Sequence, residues 1–139
     1  MEDEELIYKN VSKDTIEFIK KIEAMPRMKI REQDLLIIKA QNGNEEAKNQ
    51  IFEYGLKYVI TVSKSLAKFG LPLEDLIQDG SFGLMKAIDS YKPFSSRQYF
   101  GRYATVIIFR YITGHETVKY RTAAEKFKTE FQRKSQDIL

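Results

Sequence analysis

The chain has no cysteine in 139 residues and a single histidine, His115. Neither a disulfide framework nor a thiolate or histidine-rich metal site can be assembled from that inventory, and no metal or cofactor is expected. Fully apolar runs stop at four residues, as at Val106–Phe109, whereas a membrane-spanning helix needs about 20. No signal peptide opens the chain, and Met1 is taken as a natural N terminus. With no thiol and no leader, the expected setting is a reducing, cytoplasmic one, without a membrane partner. The marks of enzyme chemistry are missing as well. There is no glycine-rich phosphate loop, nucleophile elbow or metal-spaced ligand pair, so no catalytic residue is assigned.

What is present is enough apolar surface for one domain, with or without a helical extension. The net charge of +3 is unevenly distributed. Residues 1–89 carry 13 Lys/Arg against 16 Asp/Glu, and residues 90–139 carry 10 against 4. An acidic front and a basic back imply two surfaces. The basic one suits a polyanion or is a solvated, lysine-rich helix face.

Periodicity predicts an all-α fold, a compact helical bundle without useful strand alternation or internal repeat. Residues 1–11 are expected to form a flexible acidic tail, 12–115 the helical domain and 116–139 a basic helical extension. Ser12 is an N-cap candidate ahead of Ile16, Ile19 and Ile22, and Pro26 closes that helix. A second helix covers about 31–41, with Leu35, Leu36, Ile37 and Ile38 as an apolar stripe. Gly43 suits a left-handed cap, and Asn44 caps the third helix, which carries Ile51, Tyr54, Tyr58, Val62 and Leu66 at helical spacing. Gly80 and Gly83 predict that 73–91 divides into two short helices with a bend. Pro93, Ser95 and Ser96 form a loop. The last helix of the domain spans about 97–114, burying Phe100, Tyr103 or Ala104, Ile107, Ile108, Tyr111 and Ile112.

The stretch Glu74–Asp89 is the most informative. Leu76, Ile77, Phe82, Leu84 and Ile88 are expected inward, leaving Asp75, Gln78, Asp79, Ser81 and Met85 on another face. Carboxylates there can take bidentate guanidinium bonds, and a thioether fills an irregular apolar contact, so the face suits an arginine-rich helical partner. The run Asp75-Leu76-Ile77-Gln78-Asp79-Gly80, followed by Gly83-Leu84-Met85-Lys86-Ala87 and Asp89, resembles the core-polymerase-binding segment of the bacterial sigma factors of the sigma-70 type. The resemblance extends over roughly 16–122. Residues 44–51 and 56–64 are similar to the preceding helix of sigma region two. Residues 18–26 and 31–40 are similar to the upstream segment, which in the family touches DNA just past the melted element. Tyr103-Ala104-Thr105 and Ile112-Thr113 are similar to the helix that melts and reads the minus-ten element.

The resemblance implies a transcription initiation factor that docks on core RNA polymerase through the β′ coiled coil. The implied contacts are Asp75, Gln78, Asp79, Ser81 and Met85, within 74–89. It also implies binding of promoter DNA, on the non-template strand of the minus-ten element, through the helix at 97–114. The exposed side of that helix should carry Tyr99, Arg102, Val106, Phe109, Arg110 and Thr113, with the partly buried Tyr103 beside them. Arginine neutralises phosphate or reads guanine, and aromatic rings stack on unpaired bases.

The chain departs from the family on that helix. Val106 and Ile107 stand where the family has two adjacent tryptophans as a melting wedge, and stacking on an aromatic is worth about 1–3 kcal/mol per base. Gly101-Arg102 replaces a serine-threonine pair, and Arg110 stands where principal members often use glutamine. After Thr117 no second helix-turn-helix follows. The basic residues Lys119, Arg121, Lys126, Lys128, Arg133 and Lys134 can meet phosphate, a partner protein or solvent. Three readings therefore remain: a sigma-like initiation factor; one half of a split sigma factor whose partner subunit reads the upstream element; or a polymerase-binding or anti-sigma-binding decoy that does not melt promoters.

Overall fold

The structure, a computed structural model, describes residues 3–94 and 98–114. These fold into six helices: α1 (Asp3–Ile7), α2 (Lys13–Glu23), α3 (Ile30–Gln41), α4 (Glu45–Ala67), α5 (Leu73–Ser90) and α6 (Phe100–Thr113). No strand occurs among the described residues, so the chain is all-α, as its periodicity implies. Residues 115–139, including His115 and the basic extension at 116–139, lie outside the described residues, as do Ser95, Ser96 and Arg97. Among the described residues no helix is long and apolar enough to cross a membrane.

The caps form where the side chains call for them. Ser12 Oγ accepts from Thr15 N–H at 3.2 Å and starts α2. Asn44 Oδ1 accepts from Ala47 N–H at 2.9 Å and starts α4. Gly43 takes φ +94°, and Gly43 N–H and Asn44 N–H donate to Ala40 O and Lys39 O. That pair of bonds is a Schellman motif, which needs the left-handed residue that glycine supplies. α2 stops at Glu23, ahead of Pro26.

α4 is the axis of the fold. Its 23 residues extend about 34 Å, and all the other helices pack against it. Ile51, Val59, Ile60, Val62 and Leu66 of α4 are buried with Ile19 and Ile22 of α2 and Ile37 of α3. Leu76, Leu84 and Ile88 of α5 and Phe100, Ala104, Ile108 and Ile112 of α6 complete the core. Of the broad stripe expected in α3, Ile37 is fully buried, Leu36 packs half-buried against the core, Ile38 is half-buried and Leu35 is 46% exposed.

Two expectations, on the break in 73–91 and on the buried row of the last helix, are corrected. At the N terminus the described residues carry a short helix. Asp3–Ile7 is helical, Ile7, Tyr8 and Val11 pack against the core, and Lys64 Nζ sits 5.4 Å from the Tyr8 ring centroid. Residues 73–90 form one helix instead of two short ones. On α6 the buried row is Phe100, Ala104, Ile108 and Ile112, spaced by four. It leaves Ile107 half-buried and Tyr111 42% exposed.

The unbroken α5 has a steric explanation. Gly80 and Gly83 lie on its buried face. A Cβ on Gly80 would come within 2.9 Å of Val59 Cγ1, and one on Gly83 within 2.9 Å of the Ile108 Cα and the Tyr111 Cβ. Leu84 in turn fills the space beside Gly55, where a Cβ would meet its Cδ1 at 2.6 Å. The glycines therefore permit close helix approach and do not bend the chain. Each gives up about 1 kcal/mol of helix propensity, offset by the tighter packing of α5 on its neighbours.

Asp34 is only 6% exposed, and its Oδ1 finds no hydrogen-bond partner among the described residues. Burial holds its carboxyl above the ordinary value. A carboxyl raised in the folded state is best tolerated when protonated, so stability from this site is greatest in acid and falls as pH rises through the raised value.

Two outcomes are expected. Gly83→Ala should lower stability in urea denaturation by about 1–2 kcal/mol, since the clash is with backbone and the propensity gain offsets only part of it. Asp34→Asn should raise stability at pH 7 by about 1 kcal/mol, and the gain should vanish in thermal melts taken toward pH 4.

Candidate functional site

Burial of Leu76, Gly80, Gly83, Leu84, Ala87 and Ile88 sets the rotation of α5 about its axis. Asp75, Gln78 and Met85 are consequently turned outward, with Asp79 beside them. These four share one face. Asp79 falls about 40° beyond Asp75 on one side of it, and Ser81 about 40° beyond Met85 on the other. Ser81 is half-buried, and its hydroxyl donates to Ile77 O at 2.7 Å. Phe82 is the residue the pattern misplaced. It is 54% exposed on the outer face, not packed inward.

The start of α5 is tied to the start of α2. Ser12 N–H donates to Glu74 Oε1 at 2.9 Å, and this backbone bond holds the Glu74 carboxyl below its ordinary range. Glu74 thus joins two helices, and the outward-facing carboxylates begin with Asp75.

The residues expected to read DNA divide into two groups. Tyr99 is 65% exposed, and Arg102 and Arg110 are exposed. About 12 Å of helix rise separates the two arginines. The others are half-buried. Tyr103 shares a hydrogen bond with Ser90 Oγ at 2.8 Å, and its ring lies 5.2 Å from that of Tyr91. Val106 is half-buried, Phe109 is half-buried against the core, and the Thr113 hydroxyl donates to Phe109 O at 2.9 Å.

Tyr99 and Arg102 open onto a groove of about 760 Å³, walled also by the α2–α3 connection and by α4. Arg27, Lys29 and Arg102 line it with positive charge, and Tyr54, Tyr58, Tyr99 and Phe100 line it with rings. Its floor is a hydrogen-bonded relay. Tyr58 Oη donates to Gln33 Oε1 at 2.8 Å, Gln33 Nε2 donates to Met28 O at 2.9 Å, and Met28 N–H donates to Tyr54 Oη at 3.1 Å. Burial, followed by the neighbouring Tyr54, pushes the Tyr58 phenol up to about 12. The ring is therefore neutral at any physiological pH. Gly101 allows this arrangement, since a Cβ there would lie 2.8–2.9 Å from the Tyr58 ring and hydroxyl.

Sequence reasoning missed Arg27, Lys29, Tyr54 and Tyr58 as groove residues. Helical spacing places the two tyrosines only as core positions of the third helix. The signal available was the resemblance on either side of residues 27–30, to a segment that touches DNA in the family. A cationic, ring-lined groove can hold a nucleic-acid strand by phosphate neutralisation and base stacking. Among the described residues no cluster of His, Cys, Asp or Glu is arranged to hold a metal.

No protein-family model matches the chain. It is 32% identical over 96 residues to RNA polymerase sigma factor SigA of a Bacillus species and 34% identical over 99 residues to that of Lactococcus lactis subsp. cremoris. It is 31% identical over 96 residues to that of Clostridium acetobutylicum. The chain is homologous to the sigma-70 family. Each match covers 69% of this chain, a span that necessarily takes in α4 and α5. The chain spans about a quarter of the length of these sigma factors, at 25%, 27% and 25%.

The relay under the groove can be tested directly. Tyr58→Phe removes the donor to Gln33 and should lower stability by about 1 kcal/mol. In an ultraviolet pH titration the wild-type chain should show a tyrosine ionising near 12 that the variant lacks.

Proposed function

We propose that this chain is a sigma-type transcription initiation factor, non-enzymatic and cytoplasmic. It docks on core RNA polymerase through the outer face of α5, against the β′ coiled coil. It engages promoter DNA, the non-template strand of the minus-ten element, through Tyr99, Arg102 and Arg110 and the adjoining groove. The observation that carries the reading is the α5 face on which Asp75, Gln78 and Met85 are exposed with Asp79 half-buried beside them, within a stretch homologous to sigma factors. Ser81 contributes from its flank. Carboxylates on a rigid helix offer bidentate sites to arginines of a partner helix. Catalysis belongs to the polymerase, and this chain positions DNA for it.

The aliphatic, half-buried Val106 and Ile107 favour weak melting by this chain alone. Weak melting by this chain alone suits one half of a split sigma factor, in which a separate subunit reads the upstream element. The other reading is a decoy that occupies the polymerase, or binds an anti-sigma factor, without opening promoters. Specific transcripts from core polymerase plus this chain alone would exclude the split reading. Selective binding to a single-stranded minus-ten oligonucleotide, lost in Arg102→Ala, would exclude the decoy.

The docking face is tested by pull-down on a β′ coiled-coil fragment, where Gln78→Ala should weaken retention and Asp79→Arg abolish it. Undiminished retention of both removes this assignment. On the DNA side, Arg102→Ala should weaken oligonucleotide binding in fluorescence anisotropy and lower the slope of log K against log salt by about one.

A further inference from the structure

Three residues seven apart, Asp75, Phe82 and Asp89, fall on almost one line along the outside of α5, since seven residues are close to two helical turns. All three are exposed. Each step along that line is about 10.5 Å. Phe82, at 54% exposure, occupies the middle, with Met85 at 43% beside it one turn on. The other large apolar side chains of α5, Leu73, Leu76, Ile77, Leu84 and Ile88, are buried or half-buried. The exposed apolar surface of this helix is therefore a single patch of ring and thioether between two carboxylates.

We infer that Phe82 is the central anchor of the α5 surface, received by an apolar socket on a helical partner that carries arginines on either side of it. The inference rests on the docking reading proposed above and adds to it a residue outside the five contacts expected there. An aromatic side chain at the centre of a polar rim is the arrangement in which a few residues carry most of an interface's binding energy. Phenylalanine has no polar handle to favour water at such a position. The rim selects the partner's charge. Residues 74–89 hold Glu74, Asp75, Asp79 and Asp89 against the single base Lys86. A second copy of this chain, docking the same face on itself, would set acidic rim against acidic rim, whereas an arginine-bearing helix pairs with it.

The test is binding of the full chain to purified core RNA polymerase, with each variant checked for unchanged helicity by circular dichroism. Phe82→Ala should raise Kd about tenfold or more, and Phe82→Leu should recover most of that loss, since an apolar side chain still fills the socket. Leu35→Ala, which trims a 46% exposed side chain on α3, should stay within about twofold of wild type. Asp79→Arg, measured alongside, reports on the docking face itself. If Asp79→Arg abolishes binding and Phe82→Ala leaves Kd unchanged, the docking face stands and the anchor is overturned. If neither variant weakens binding, both the docking face and the anchor fall. A free chain that sediments as a dimer in wild type and as a monomer in Phe82→Ala would also overturn the inference, because the ring would then be covered by a second copy.

Discussion

The close approach of α5 to α4 and α6 at Gly80, Gly83 and Gly55 is the constraint on which the other features of this protein depend. At Gly83 the neighbour is the Ile108 backbone itself, and at Gly55 it is the Leu84 side chain. Backbone cannot move aside as a flexible side-chain tip does, so this contact sets both the distance between the helices and their rotation. Once α5 is held with Gly80, Gly83, Leu84 and Ala87 inward, its acidic and amide residues have only one direction left. The charged face of α5 is thus a consequence of steric demands on the opposite face.

A similar device shapes the groove. Gly101 lets the start of α6 come down onto the Tyr58 ring, whose hydroxyl is then held by Gln33, and Gln33 by Met28 O. The relay ties α4 and α3 to the connection that carries Arg27 and Lys29. It satisfies its polar atoms internally, as a buried network must if it is to rigidify its surroundings. The cations at the groove therefore stand on a fixed floor of rings. This suits the capture of a strand whose bases and phosphates arrive together. A larger residue than Gly101 would collide with Tyr58.

Much of the architecture was legible in the order of residues. Ser12, Gly43 and Asn44 signalled their caps correctly, since capping is decided by bonds within one turn of helix. The outward residues of α5 were largely anticipated from periodicity and the sigma resemblance together. The misreadings cluster where a local signal has two meanings. Glycine inside a helical pattern signals either a break or a close approach, and only the partner helices decide. Hydrophobicity alone places Phe82 inward, although its position on the helix is outward. Tyr54 and Tyr58 look like core residues by spacing and are partly that, but their hydroxyls organise a groove.

The sequence by itself determined the all-helical class, the helix starts and the chemistry available to each surface, and it carried the kinship with sigma factors. These depend on local periodicity, on capping bonds and on motifs contiguous in the chain. Only the tertiary structure decided which way α5 turns, that Phe82 lies among its carboxylates, and that Arg27, Lys29 and Arg102 meet across a ring-lined groove. Those outcomes join residues as far apart as 27 and 102, and they are set by which side chains can pack together without overlap. No local pattern encodes such a fit.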